Sequence, residues 1–220
     1  MKILFQILTY LCVLAVMILT FTVPIPEIPG LGSMARIIFL HVPTAWLSVL
    51  AFLLSMIYSV QYLIKKDIVY DIKAYSAAGI GFLFCILATV TGSLWAKFMW
   101  GSFWNWDPRE TSIFILLLIY GAYFSLRSAI ENREQKAKLS SVYAIIAFVT
   151  VPFFIFILPR IVQTLHPDPL INTTGKINMD SSMLRVFLFS LFSFTLLFVQ
   201  ILNLKIRLEK LYFINQNKEN

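Results

Sequence analysis

An all-α protein that crosses a membrane about six times, with both termini cytoplasmic, is the fold this sequence predicts. Three observations carry that reading. Hydrophobic residues make up 59% of the 220 and charged residues only 13%, against about 25% charged in an ordinary soluble domain. Mean hydropathy is +0.81, which leaves more apolar surface than a soluble fold of this length can bury. The charges sit in short clusters between long apolar runs, the pattern by which membrane proteins fix their orientation.

A helix that crosses the hydrocarbon core needs about 20 mostly apolar residues. Six segments supply it: 3–23, 43–64, 75–96, 110–128, 140–160 and 183–204. The first follows Lys2, the start of a secretory-signal pattern, but its apolar stretch exceeds the usual length and no small-x-small cleavage site precedes Pro24. It is expected to be a retained helix. The second poses a length problem. The 29 residues from Arg36 to Ile64 would cover about 43 Å as one straight helix, beyond a core of about 30 Å. Pro43 is tolerated in the first turn of a helix and disruptive further in, so the span is expected to start there, with His41 just outside it. The fourth helix is expected to be capped by Asp107, with Pro108 and Glu110 in its first turn. Connections are short and no internal repeat appears, so a single transmembrane domain over 1–220 is expected.

Counting Lys and Arg in the flanks sets the orientation. One set of connections holds Lys2, Lys65, Lys66, Lys73, Arg127, Arg133, Lys136, Lys138, Lys205, Arg207, Lys210 and Lys218. The other holds Arg36, Lys97, Arg109, Arg160, Lys176 and Arg185. The richer set is cytoplasmic, and the net charge of +7 reports topology, not nucleic acid binding. The cytoplasmic connections 65–73 and 131–138 read as solvated mixed-charge loops. Segments 24–42, 97–109 and 161–182 face outward and contain the unusual residues. Cys12 and Cys85 lie inside apolar runs and form no CxxC or CxxCH motif, which argues against thiol chemistry.

The sequence has two histidines, His41 and His166, both on the predicted outer side. His166 precedes Pro167, which favours an extended backbone. Neutral imidazole is a good iron ligand, and haem iron commonly takes axial histidine. Four of the five tryptophans fall in WAKFMWGSFWNWDPR, Trp95 to Arg109. An interfacial aromatic belt accounts for one or two of them, but a belt is spread over many helix ends and this cluster occupies one loop, about 95–110. Such a loop offers flat apolar faces and indole N–H donors, which suit a porphyrin. Lys97 and Arg109 are placed to pair with propionates, and Gly101 permits a tight turn. For Asp107, helix capping and direct contact with haem both stand open.

The run Trp100-Gly101-x-x-Trp104-x-Trp106-Asp107-x-Arg109 resembles the WWD motif of haem-handling proteins in cytochrome c maturation. With the flanking VTGSLWAKFMWGSFWNWDPRETS and RIIFLHVPTAW, the chain is similar over nearly its whole length to the cytochrome c maturation protein C family, also called haem exporter protein C. The resemblance implies haem b held at the outer face, with His41 and His166 as axial ligands. Trp95, Trp100, Gly101, Trp104, Trp106, Asp107 and Arg109 would support the macrocycle. It implies presentation of haem to a membrane-anchored periplasmic haem chaperone, alongside ABC-type components of the same system. The location implied is a bacterial inner membrane, with a mitochondrial inner membrane as the alternative. Two departures bear on the pocket's shape: Phe103 stands where the motif often has tryptophan, and IVQTLH before His166 is less aromatic than expected.

Competing readings are a permease subunit of an ABC-type haem exporter, a synthase component attaching haem to cytochrome c, and a cytochrome b-like carrier. The permease requires ionisable residues at mid-membrane, and the carrier requires histidines there. The synthase relatives carry further histidines. No Ser–His–Asp, HExxH, P-loop or dinucleotide-binding pattern appears, so the chain is read as haem-presenting and not as an enzyme.

Overall fold

The structure is a computed structural model that describes residues 2–26, 32–166 and 179–219. It is helical, with no strand among the described residues. α1 (Lys2–Thr22) is followed by a 3-10 turn (Gly32–Ile37), then α2 (Ile38–Lys65), α3 (Ile68–Trp100), α4 (Pro108–Ala129), α5 (Arg133–Pro152), a π-turn (Phe153–Ile157), the short α6 (Leu158–Ile161) and α7 (Ser181–Glu219). Among the described residues, six helical stretches are long and apolar enough to span a bilayer, as the hydropathy pattern predicts.

The helix ends differ from expectation, and polar flanks explain most of the difference. Lys, Glu, Gln and Arg are good helix formers, so the helices run on through sequence that reads as loop. The α2–α3 connection is only Lys66 and Asp67. Lys66 takes a left-handed conformation at φ 56°, and the Asp67 side chain accepts from the Val69 N–H. The 33 residues of α3 and 39 of α7 amount to about 50 and 58 Å, so both project past a core of about 30 Å. The first six residues of the tryptophan-rich segment, Trp95 to Trp100, are therefore helix and not loop.

Pro43 does not start α2, which begins five residues earlier. Proline at 43 removes the N–H that would bond the Phe39 carbonyl. The Ser190 hydroxyl of α7 donates to that carbonyl instead, so the helix passes through the proline with its backbone satisfied, as an apolar surrounding demands. His41 consequently sits on a regular helix.

α2 and α3 form a tightly packed antiparallel hairpin. A Cβ at Gly81 would come within 2.6 Å of the Phe52 ring and 3.1 Å of Ala51, and Ser55 Oγ donates to the Ala74 carbonyl at 2.9 Å. Small residues let backbones approach where the hydrophobic effect cannot drive association. α5 contributes buried Ala137, Ala144 and Ala147, and Phe52 stacks on Tyr120 of α4 with ring centroids 3.5 Å apart. α1 packs chiefly on α7 and turns Leu4, Leu11 and Ile18 outward.

The expectation of solvated loops fails at one charge pair. Asp71 is 4% exposed and receives Arg127 Nη1 and Nη2 at 2.7 and 2.6 Å, with the guanidinium 4.7 Å from the Tyr75 ring centre. The pair fastens α3 to α4 at the lysine-rich end. Removing one partner of a buried pair strands a charge, whereas replacing both by apolar residues is close to neutral. Asp71→Leu should therefore lower unfolding stability in detergent by about 3–5 kcal/mol, and adding Arg127→Met should restore most of it. Equal losses in single and double variants would show that the pair is not coupled.

Candidate functional site

The site is built where the first turns of α2, the last turns of α3 and the start of α4 meet the segment after α6. Gly101 ends α3 at φ 82°, its N–H bonding the Lys97 carbonyl at 3.1 Å. The turn that follows is tied at several points. Ser93 Oγ donates to the Phe103 carbonyl at 2.6 Å, and the Asn105 and Asp107 N–H groups donate to Glu110 Oε2 at 2.7 and 3.3 Å. Lys97 Nζ donates to the Gly101 carbonyl at 2.9 Å, so this lysine braces the turn. Trp106 takes a left-handed backbone at φ 57° and leaves its side chain 71% exposed. Its ring lies 5.9 Å from that of Trp104, which also packs on Phe114 of α4.

Asp107 does cap α4, accepting from the Arg109 N–H at 2.9 Å and forming a capping box with Glu110. The same carboxylate does more. It accepts from Thr164 Oγ1 at 2.7 Å, from the Leu165 N–H at 2.6 Å, and from His166 Nδ1 at 2.8 Å. His166 is thereby brought onto the tryptophans, 5.5 Å from Trp95 and 5.0 Å from Trp100 between ring centres. The chain reaches this point through the π-turn, where the Leu158 N–H bonds the Phe153 carbonyl. Pro152 and Pro159, which lack donors, bracket that shift.

His41 enters from α2. Its Nδ1 lies 2.9 Å from Thr91 Oγ1 of α3, and its ring fills the space at Gly92, where a Cβ would approach Cε1 to 2.9 Å. Thr91 and Trp95 are four residues apart on α3 and hence share a face, about 6 Å apart along the axis. The two imidazoles attach to that face at successive levels, His41 at Thr91 and Gly92 and His166 at Trp95.

The partners at Nδ1 assign a tautomer to each ring. The Thr91 hydroxyl donates to the Leu87 carbonyl at 2.8 Å, so it accepts from His41 Nδ1–H. A carboxylate can only accept, so His166 Nδ1–H points at Asp107. In these tautomers Nε2 is the lone-pair nitrogen of each ring, as in metal-ligating histidines whose other nitrogen donates to a carboxylate or other acceptor. With indole faces beside them, the residues fit an iron porphyrin held between two imidazoles.

Of the residues predicted from sequence, Trp95, Trp100, Asp107 and His166 form one contact cluster. Arg109 lies close enough for its charge to act on His166. Trp104 and Trp106 form a second cluster beside it, and His41 lies along α3 from Trp95. Pro167 and Lys176 fall outside the described residues. Thr91, Gly92 and Thr164 escaped the sequence reading. They act across 50 or more residues, and only the position of Thr164, two before His166, offered a local hint. An open groove lined by Leu19, Val23, Pro24, Arg185, Val186 and Phe189 lies between α1 and α7, apart from the histidines.

The family model described as heme exporter protein C matches residues 1–219. The chain belongs to the haem exporter protein C family. Relatives include heme exporter protein C of Bradyrhizobium diazoefficiens, 36% identical over 76% of this chain and 64% of the relative. The protein of the same name in Paracoccus denitrificans is 38% identical over 56% and 52%. A ccmC-like mitochondrial protein described for cytochrome c biosynthesis in Marchantia polymorpha is 36% identical over 71% and 66%. The chain thus spans about half to two thirds of the length of these relatives.

His166 has its pKa lowered by burial, against the opposing pull of Asp107 and with help from Arg109. Burial would raise Asp107, but hydrogen bonds from Thr164 and from the Arg109 and Leu165 N–H groups outweigh it and hold the carboxylate below its ordinary value. Both shifts favour the deprotonated form in the folded site. Their stabilisation is complete above the ordinary values, about 6.5 for His and 3.9 for Asp, and is lost as pH falls. Tryptophan emission of the haem-free protein should stay flat from about pH 8 to 6.5 and change only below, with a further step under about pH 4. Titration above pH 7 would contradict a neutral His166.

Proposed function

We propose that this protein holds haem b at the outer face of a bacterial or mitochondrial inner membrane and presents it to a membrane-anchored periplasmic haem chaperone. In this reading it works with ABC-type components of cytochrome c maturation. The observation that supports it most is the pair of imidazoles along one face of α3, each with Nδ1 at a hydrogen-bond partner. His41 and His166 would ligate the iron. Trp95 and Trp100 support the ring near His166, and Trp104 and Trp106 form the rim. Arg109 supplies positive charge for a propionate. Haem, when bound, would supply an iron that takes imidazole ligands; the protein contributes orientation, an apolar surround and control of ligation, which is positioning and not acid–base catalysis.

Two outcomes test this. The protein purified in detergent should carry haem with a bis-histidine visible spectrum. His41→Gly and His166→Gly should each abolish that signature, and a signature that survives the double replacement would refute the assignment. Gly92→Ala should leave the protein folded yet displace the His41 ring. It should reduce haem occupancy by about tenfold, the usual scale for a disturbed supporting shell.

A further inference from the structure

The two histidines are anchored by partners of different chemistry. His166 Nδ1 faces Asp107, a buried carboxylate whose oxygens also accept from Thr164, Leu165 and Arg109. His41 Nδ1 faces the Thr91 hydroxyl, a neutral oxygen that has already given its proton to α3 carbonyls. Hydrogen bonds to an ionised acceptor are roughly twice as strong as those between neutral groups. A carboxylate partner also makes an imidazole more basic and so a stronger donor to a metal.

We infer that the two axial positions are unequal: His166 is the retained ligand and His41 the one that yields when haem is handed on. This rests on the ligand assignment of the proposed function and goes beyond it by giving the exchange an order. The bond that breaks joins iron to His41 Nε2, and the electron pair stays on the nitrogen. An incoming neutral donor supplies a pair to the vacated position, so charge and oxidation state are unchanged. His41 keeps its proton on Nδ1 throughout and needs no acid to leave. Asp107 is a positioning residue here, acting on the metal only through His166. Geometry favours the same order. The Asp107 carboxylate fixes the backbone N–H of Leu165 as well as the ring of His166, so both the ring and its approach are held. His41 is held at its ring by neutral oxygens, those of the Thr91 hydroxyl and the Ala88 carbonyl.

Carbon monoxide serves as the incoming donor in the test. The full-length, haem-loaded protein is reduced under carbon monoxide and photolysed at low temperature. The iron–histidine stretch of the five-coordinate product is then read by resonance Raman. The native product should match the band of haem-loaded His41→Gly and shift to lower frequency in Asp107→Asn. In stopped flow, Thr91→Val should accelerate carbon monoxide entry by about tenfold, and Asp107→Asn should not. A native product that matches His166→Gly, or that shows both bands equally, overturns the order. If Asp107→Asn does not fold, the comparison of the two glycine variants still decides. A starting spectrum unaffected by either glycine variant would instead fail the ligand assignment, and the order with it.

Discussion

One carboxylate joins the parts of this site that are far apart in sequence. Asp107 caps α4 through the Arg109 N–H, closes the tryptophan turn through its capping box with Glu110, and draws in residues 164–166 through three further bonds. A buried anion is tolerable only when such donors surround it. The requirement works in both directions: the carboxylate needs the segment after α6, and that segment has its place fixed by the carboxylate. His166 owes its position over Trp95 and Trp100 to this exchange.

The span count and the identity of the unusual residues were legible from sequence for a simple reason. Apolar runs of membrane length are rare by chance, and two histidines with four clustered tryptophans stand out against so apolar a background. The capping role of Asp107 was legible because it is local. Its grip on Thr164 and His166 was not, because nothing in the intervening residues marks a contact across 57 positions. The same holds for Thr91 and Gly92, which read as ordinary small residues of a membrane helix until α2 is laid against α3. Helix ends were misplaced where good helix formers extend a helix, as from Arg133 to Lys138, and where a side-chain cap starts one early, as Asp67 does for α3.

The Pro43 misreading shows how tertiary structure overrides a local rule. Proline inside a helix is costly chiefly because a carbonyl is orphaned and the ring crowds the preceding turn. Here the hydroxyl of Ser190, 151 positions away, satisfies the Phe39 carbonyl. The helix therefore carries His41 on a fixed register toward Thr91, where a start at Pro43 would have left it on a fraying end. Asp71 and Arg127 play the corresponding part at the opposite end, so the helices are pinned at both ends around a seam of alanine, serine and glycine.

The backbone at Trp106 has a consequence of its own. A bulky residue with φ near +57° sits where only glycine is at ease, at a cost on the order of 1–3 kcal/mol. Glycine at this position would relax the loop and so raise the resistance of the protein to unfolding. The indole thus stands outward at the expense of robustness, and the loop trades durability for a flat aromatic surface held away from the helices.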